Sequence, residues 1–244
     1  TCFANLIRAA EAKTGQKVVI LIDEYDKPIL DNLTDPELAK AMRNRLRNLY
    51  SVIKDLDASI RFVFLTGVSK FSKVSLFSGL NNLNDITLDA EYSAICGYTD
   101  HDIDTVFAPE LAGLDREQIR EWYNGYNWLG ESVYNPFDVL LLFQKRQFRA
   151  YWFETGTPTF LLDWIKTHHV WLPELATLRL SGDLLQAFDV DMMLTESLMF
   201  QTGYLTIADS FHMGALTEYT LKYPNLEVQA SLNGVLLEML MGNS

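Results

Sequence analysis

The residues best placed to do chemistry are Asp23, Glu24 and Thr66. Asp23 and Glu24 close the run Val18-Val19-Ile20-Leu21-Ile22. Such a run, rich in β-branched residues, reads as a strand buried on both faces, as in a parallel sheet. Ligands of open α/β sheets bind beyond the carboxyl ends of such strands. A carboxylate there can hold Mg²⁺, usually through water, because this hard cation keeps part of its hydration shell. The next carboxylate can orient or deprotonate an attacking water. Asp23 is therefore the candidate metal residue and Glu24 the candidate catalytic base. Thr66 ends a second apolar run, Ile60-Arg61-Phe62-Val63-Phe64-Leu65, with Ser69 and Lys70 just beyond. Its hydroxyl could hydrogen-bond an attacking water or an anionic oxygen of a ligand. Both stretches also fit a plainer reading: an apolar strand that ends in acidic loop residues, and a Thr-Gly pair that ends a strand and permits a turn.

The elements around these residues must hold them. Pro36 to Leu56 places Leu38, Met42, Leu46, Leu49 and Ile53 at helical spacing, with charges on the other side. A helix that links two apolar strands is the mark of a right-handed βαβ unit in an α/β sheet. Ala4 to Lys13 reads as a helix with Leu6, Ile7 and Ala10 on one face, and Gly15 as its cap. Pro28 and the stretch Asp31 to Asp35 read as loop. So does Phe71 to Asn84, with short helical pieces, and Asp85 to Leu88 could be a short strand. From Asp100 the chain turns mainly helical. Thr99 or Asp100 can cap a helix reaching Phe107, and Asp115 one reaching Tyr123. Pro136 to Gln147 and Thr157 to His168 read as further helices. Gly203 to Ala208 and Leu216 to Leu221 look like the strands of a hairpin, followed by a helix from Asn225 to Met241. The expected fold class is α/β: a partial parallel sheet with helices over residues 1–98, then a helical, winged-helix-like region over residues 99–244.

Composition narrows the function classes. A chain of 244 residues can bury a sizeable core without disulfides or a structural metal. The net charge of −12 repels nucleic acid phosphates and gives no electrostatic reason to bind an anionic membrane. Between Gly203 and Tyr223 the one Lys or Arg is Lys222, too little for a phosphate-tracking surface. Nucleic acid is thus not an expected partner of this segment. Two cysteines, Cys2 and Cys96, cannot form a disulfide framework, and a reducing cytoplasm is expected. No apolar run approaches the roughly 20 residues that cross a bilayer, and no signal peptide opens the chain. The first residue is Thr1 rather than Met, so both ends are expected to be cuts in a longer protein.

Other candidates carry less. Asp26 adds a third carboxylate, expected to be structural or to pair with Lys27 or Arg43. His168 and His169 are adjacent on a helix and point in different directions, so joint metal ligation is not expected. His101 and His212 are isolated. The aromatics Trp122, Tyr123, Tyr126, Trp128 and Tyr134 could stack bases. On an acidic chain they are expected to be core or an interdomain interface instead. Tyr151-Trp152-Phe153-Glu154-Thr155-Gly156 reads as a packed element ending in a Gly turn. Ser78-Gly79 lacks the pattern of a nucleophile elbow. Arg116, Arg120, Arg146, Arg149 and Arg179 are all available as an arginine finger, and nothing in the sequence selects among them.

Apolar residues followed by Asp23-Glu24 form the Walker B pattern of P-loop ATPases, and Thr66 stands where many of them carry a residue that senses the γ-phosphate. Leu21-Ile22-Asp23-Glu24-Tyr25-Asp26-Lys27-Pro28 resembles the signature of the bacterial AAA-ATPase-like family. The resemblance continues through Phe64-Leu65-Thr66-Gly67-Val68, Phe77-Ser78-Gly79-Leu80-Asn81-Asn82-Leu83 and Tyr123-Asn124-Gly125-Tyr126. It includes Val133-Tyr134-Asn135-Pro136-Phe137-Asp138, Tyr151-Trp152-Phe153-Glu154-Thr155-Gly156-Thr157-Pro158 and Phe200-Gln201-Thr202-Gly203-Tyr204-Leu205, and it closes with Tyr223-Pro224-Asn225-Leu226-Glu227-Val228. It implies an ATP-binding and ATP-hydrolysing regulatory module that uses ATP and Mg²⁺. It also implies a PD-(D/E)XK nuclease-like domain in cis and a possible self-association. The sequence holds no Gly-x-x-x-x-Gly-Lys-Ser/Thr loop to cradle phosphates. In similar proteins that loop lies upstream, so the isolated chain is expected to be inactive. No nuclease-like Asp…Glu-x-Lys constellation follows the hairpin. The rival reading is a degenerate, non-catalytic protein-interaction module with an ATPase-like fold.

Overall fold

The computed structural model describes residues 2–32, 35–68, 82–156, 178–182, 185, 194–214 and 216–240. The chain divides into two compact units, Thr1–Asn84 with Gln186–Gln201, and Asp85–Leu185 with Thr202–Ser244. Tyr98, where the first expected region ends, lies inside the second unit. The expected helix Thr157 to His168, with His168 and His169, lies outside the described residues, as do Ser69, Lys70, Ser78 and Gly79.

In the first unit, α1 (Cys2–Thr14) leads into β1 (Val18–Ile22), then α2 (Lys27–Leu30), α3 (Pro36–Asp55) and β2 (Ile60–Leu65). Gly15 takes φ +66° and its N–H donates to Glu11 O at 2.8 Å, closing α1. Asp35 caps α3 by accepting from the Leu38 N–H at 3.1 Å, and Pro36 follows at the first helical position. β1 and β2 pair in parallel, with Ile20 opposite Val63 and Ile22 opposite Leu65. α8 (Thr195–Gln201) also belongs to this unit and buries Leu198, Met199 and Phe200.

Three expectations for this unit are corrected. Pro28 does not sit in a loop: it lies in the first turn of the short helix α2, where its missing N–H costs nothing. In α1 the buried residues are Ala4 and Ile7, whereas Leu6 is exposed; in α3 they are Ala39, Tyr50, Val52 and Ile53, whereas Leu38 and Leu49 are exposed. β1 is not buried on both faces. Ile20 is 7% exposed, but Val19 and Leu21 are 51% and 68% exposed. Phe62 lies across from Val19 and is 53% exposed, and its ring stacks on Phe64 at 6.3 Å. Side chains alternate along a strand, so packing on the Ile20 side leaves a whole apolar face open on the other.

The second unit starts without the expected strand at Asp85 to Leu88, which lies in irregular chain and a turn. α4 (Asp100–Thr105) opens with a capping box: Asp102 N–H donates to Thr99 Oγ1 at 3.2 Å and Thr99 N–H donates back to Asp102 Oδ2 at 2.8 Å. α5 (Arg116–Tyr123) is capped by Asp115 and runs into β3 (Asn124–Tyr126), which pairs antiparallel with β4 (Val133–Tyr134). α6 (Pro136–Lys145) and α7 (Tyr151–Gly156) follow. Ile103, Ile119, Tyr123, Tyr134, Val139, Leu142 and Tyr151 form the buried centre, ringed by Tyr98, Phe107, Trp122, Phe143 and Phe148. Most of the aromatics that could have stacked bases are therefore core or its lining.

β5 (Arg179–Ser181), β6 (Thr206–Met213) and β7 (Leu216–Lys222) form an antiparallel sheet in the order β5-β7-β6, and α9 (Leu226–Leu240) follows. The hairpin read from the sequence is the β6–β7 pair. The protein is thus mixed α/β, with a small parallel sheet in one unit and antiparallel pairing in the other. No helix among the described residues is long and apolar enough to cross a membrane.

Candidate functional site

Parallel pairing of β1 and β2 brings both carboxyl ends to one edge of the sheet. Asp23 follows one strand and Thr66 the other. The ladder extends past both ends: Thr66 N–H donates to Ile22 O at 2.9 Å, and Tyr25 N–H donates to Thr66 O at 2.9 Å. Between these two bonds the Thr66 hydroxyl donates to Asp23 Oδ1. The same oxygen accepts the Glu24 N–H at 3.0 Å. Asp23 and Thr66 are far apart in sequence, and the register of the strands joins them.

Glu24 has φ +49°, in the left-handed region that a side chain with a Cβ seldom occupies. A residue held there costs about 1–3 kcal/mol and persists only where its surroundings fix it. Here the flanking bonds do so, from Tyr25 N–H to Thr66 O and from Lys27 N–H to Glu24 O at 3.0 Å. The chain turns away sharply after Glu24, and the Asp23 and Glu24 side chains are left exposed at the strand edge.

Asp26 has a different environment. It is fully buried, and its Oδ1 accepts the Val68 N–H at 3.2 Å. Tyr50 donates its hydroxyl to Tyr25 O at 3.1 Å, and burial, then the Asp26 charge, pushes the Tyr50 phenol up. A Cβ on Gly67 would lie 2.6 Å from Asp26 Oδ1 and from the Tyr25 ring. Asp26 thus clamps the loop after β2 beneath the Asp23-Glu24 turn. Asp26→Ala is expected to destabilise the first unit by about 1–3 kcal/mol, because the loop after β2 loses its hydrogen bond to a carboxylate and the buried site loses its side chain. Asp23→Ala, at an exposed site, is expected to change stability by no more than about 0.5 kcal/mol. Denaturant midpoints of the two variants check this; equal losses would overturn the division between a clamping carboxylate and an exposed one.

The five arginines separate in the same way. Arg116 donates to Asp100 Oδ1 at 2.7 Å, to Asp104 Oδ1 at 2.6 Å and to the Tyr134 hydroxyl at 2.5 Å. Arg120 reaches Asp100 Oδ2. Burial opposes the charge on Asp100, but hydrogen bonds from Tyr134, Arg116 and Arg120 hold its carboxyl below the usual range. Arg146 donates to the carbonyls of Glu110 and Ala112, and Arg149 pairs with Glu154 at 3.1 Å. These four side chains tie the second unit together. Arg179 sits exposed in β5. His101 and His212 are exposed, and His212 Nδ1 lies 3.0 Å from Thr217 Oγ1.

Residues 1–77 match the model of a family described as "Predicted AAA-ATPase". These first 77 residues are similar to the AAA-ATPase-like family. The AAA-ATPase-like segment lies within the first unit and contains Asp23, Glu24 and Thr66. Over 235 residues the chain is 65% identical to an uncharacterized protein in the vnfD 5′ region of Azotobacter chroococcum mcd 1; the match covers 96% of this chain and 46% of that protein. The chain therefore spans about half the length of this curated relative. No solved structure matches.

Mg²⁺ suits the donor set at the strand edge. Asp23 offers hard carboxylate oxygen at an exposed position, and among the described residues no group of three or more His, Cys, Asp or Glu forms a closed cage. Mg²⁺ is commonly held by one or two carboxylates together with water and substrate phosphates. Two features escaped the sequence reading. The backbone of Glu24 is one, and no local signal marks it. The other is a buried pair, Asp138 and Glu227, each in the first turn of its helix. Both lie in strings that carried the family resemblance, and an acidic residue in a first turn was the available clue.

Proposed function

We propose that the AAA-ATPase-like segment supplies the Walker B half of an ATP-binding and ATP-hydrolysing site. The observation that carries this reading is the hydrogen bond from Thr66 to Asp23 across the ends of two parallel strands, with Glu24 beside it in a forced turn. Asp23 is the residue that would hold Mg²⁺, which when bound neutralises phosphate charge. Glu24 is the base for the attacking water. Thr66 positions Asp23 with its one hydroxyl proton and keeps lone pairs that can accept a hydrogen bond from the attacking water. A Walker A loop, the nuclease-like output domain in cis and self-association belong to this proposal through the family resemblance. A cytoplasmic setting fits the cysteine usage.

The open face of the sheet supports the same reading. Parallel sheets occur almost only with both faces covered. Val19, Leu21 and Phe62 leave one face exposed, so a further layer of structure would complete the sheet. This face also favours the second reading, a non-catalytic interaction module that docks a partner there. Turnover separates the two. In a polypeptide that joins this chain to a Walker A loop, Asp23→Asn is expected to abolish Mg²⁺-dependent ATP hydrolysis. Thr66→Val is expected to lower kcat about tenfold through the loss of one positioning hydrogen bond, with ATP affinity kept. Absence of hydrolysis in the unmodified polypeptide would favour the interaction module.

A further inference from the structure

In the second unit, three helices begin at one buried place. Asp138 lies in the first turn of α6, Trp152 and Phe153 in the first turn of α7, and Glu227 in the first turn of α9. Both carboxyl groups are fully buried. Trp152 N–H donates to Asp138 Oδ1 at 2.8 Å and to Glu227 Oε1 at 3.0 Å, and Phe153 N–H donates to Glu227 Oε1 at 3.1 Å. One N–H shared between two carboxyl groups sets them side by side. The other oxygens, Asp138 Oδ2 and Glu227 Oε2, are buried and accept no hydrogen bond.

Two full negative charges cannot be held here. Like charges set side by side away from water repel strongly, because little solvent screens them. The ionisable groups acting on the pair are the phenols of Tyr123, Tyr126 and Tyr151. Among the described residues, Arg149 pairs with Glu154, and Lys145 lies over the Tyr151 ring at 5.4 Å. A proton on one carboxyl satisfies both bare oxygens at once, because a protonated Oε2 can donate to Oδ2. Burial, then the hydrogen bond and charge of Asp138, pushes Glu227 up to about 9. Burial also raises Asp138, and the hydrogen bond from Glu227 opposes that rise.

We propose that Asp138 and Glu227 hold a single proton between them, and that this proton latches the starts of α6, α7 and α9 together, so that the second unit loosens as the solution turns alkaline. Glu227 is raised in the folded state, so its contribution is fully present below its unfolded value and is lost as pH rises toward about 9. The latch lies in the second unit and stands independently of the nucleotide reading.

The test is amide hydrogen exchange at Trp152 and Phe153 in the full chain from pH 6 to 9, corrected for intrinsic rates. The opening constant is expected to rise about tenfold per pH unit, as one linked proton requires. In Glu227→Gln, whose amide imitates the protonated acid, that slope is expected to vanish. An unchanged slope in the variant, or none in the parent, overturns the proposal. Should the variant not fold, infrared spectroscopy of the parent with labelled glutamate decides. A protonated glutamate carbonyl band at pH 7 that disappears on raising the pH supports the latch, and its absence at pH 7 overturns it.

Discussion

Glu24→Gln, in a polypeptide that joins this chain to a Walker A loop, is expected to keep ATP binding and to lose about 10²–10⁴-fold in turnover, the range typical of general acid–base catalysis. Glutamine keeps the size of the side chain and can still hydrogen-bond, but it cannot take a proton from water at neutral pH. The effect on folding should be small. The Glu24 side chain is exposed, and its backbone turn is held by main-chain bonds that the substitution leaves in place. The measurement is phosphate release beside binding of a fluorescent ATP analogue. Binding with lost turnover assigns the base to Glu24. Undiminished turnover would remove it from the reaction and leave its left-handed backbone as a device of folding alone.

What the sequence made legible was local. The apolar runs gave β1 and β2, and the acidic or hydroxyl residues before helical patterns gave the caps at Thr99 and Asp115. The meeting of Asp23 with Thr66 was readable because a βαβ unit fixes which strand ends adjoin. The rest depended on what each element packs against. β1 has the composition of a strand covered on both sides, yet Val19 and Leu21 face outward, since composition reports what a face can bury and not what covers it. The arginines carry no local mark that separates a finger from a brace. Arg116 braces because Asp100, Asp104 and Tyr134 surround it in the folded unit. Asp138 and Glu227 each read as ordinary first-turn acids, favourable to the helix dipole on their own. Only the packing of α6, α7 and α9 turns them into a pair that must share a proton.

Gly125→Ala is expected to cost more than about 4 kcal/mol, beyond ordinary single substitutions and comparable to the whole stability of a small folded unit. Two separate demands meet at this residue. Its φ is +120°, which an L side chain rarely adopts. Its Cα also faces the backbone of Pro224: an added Cβ would lie 1.9 Å from Pro224 O and 2.9 Å from Pro224 C. These are main-chain atoms, and they cannot swing aside as the tip of a flexible side chain could. Pro224 precedes Asn225, whose side chain accepts the Val228 N–H at 3.1 Å at the start of α9. Glu227, two residues on from Asn225, carries the buried carboxyl that joins α9 to α7. Pushing Pro224 away therefore pulls α9 from its place as well as straining β3. Gly15→Ala separates the two demands, because Gly15 has φ +66° and nothing within 4 Å of an added Cβ. It is expected to cost only about 1–2 kcal/mol, the left-handed penalty alone. Thermal unfolding of the two variants in parallel measures the difference. Loss of the second unit's cooperative transition in Gly125→Ala, beside a modest shift in Gly15→Ala, would assign the excess to the approach of β3 to Pro224. Equal shifts would mean that the backbone at Pro224 gives way easily and that α9 is held from elsewhere.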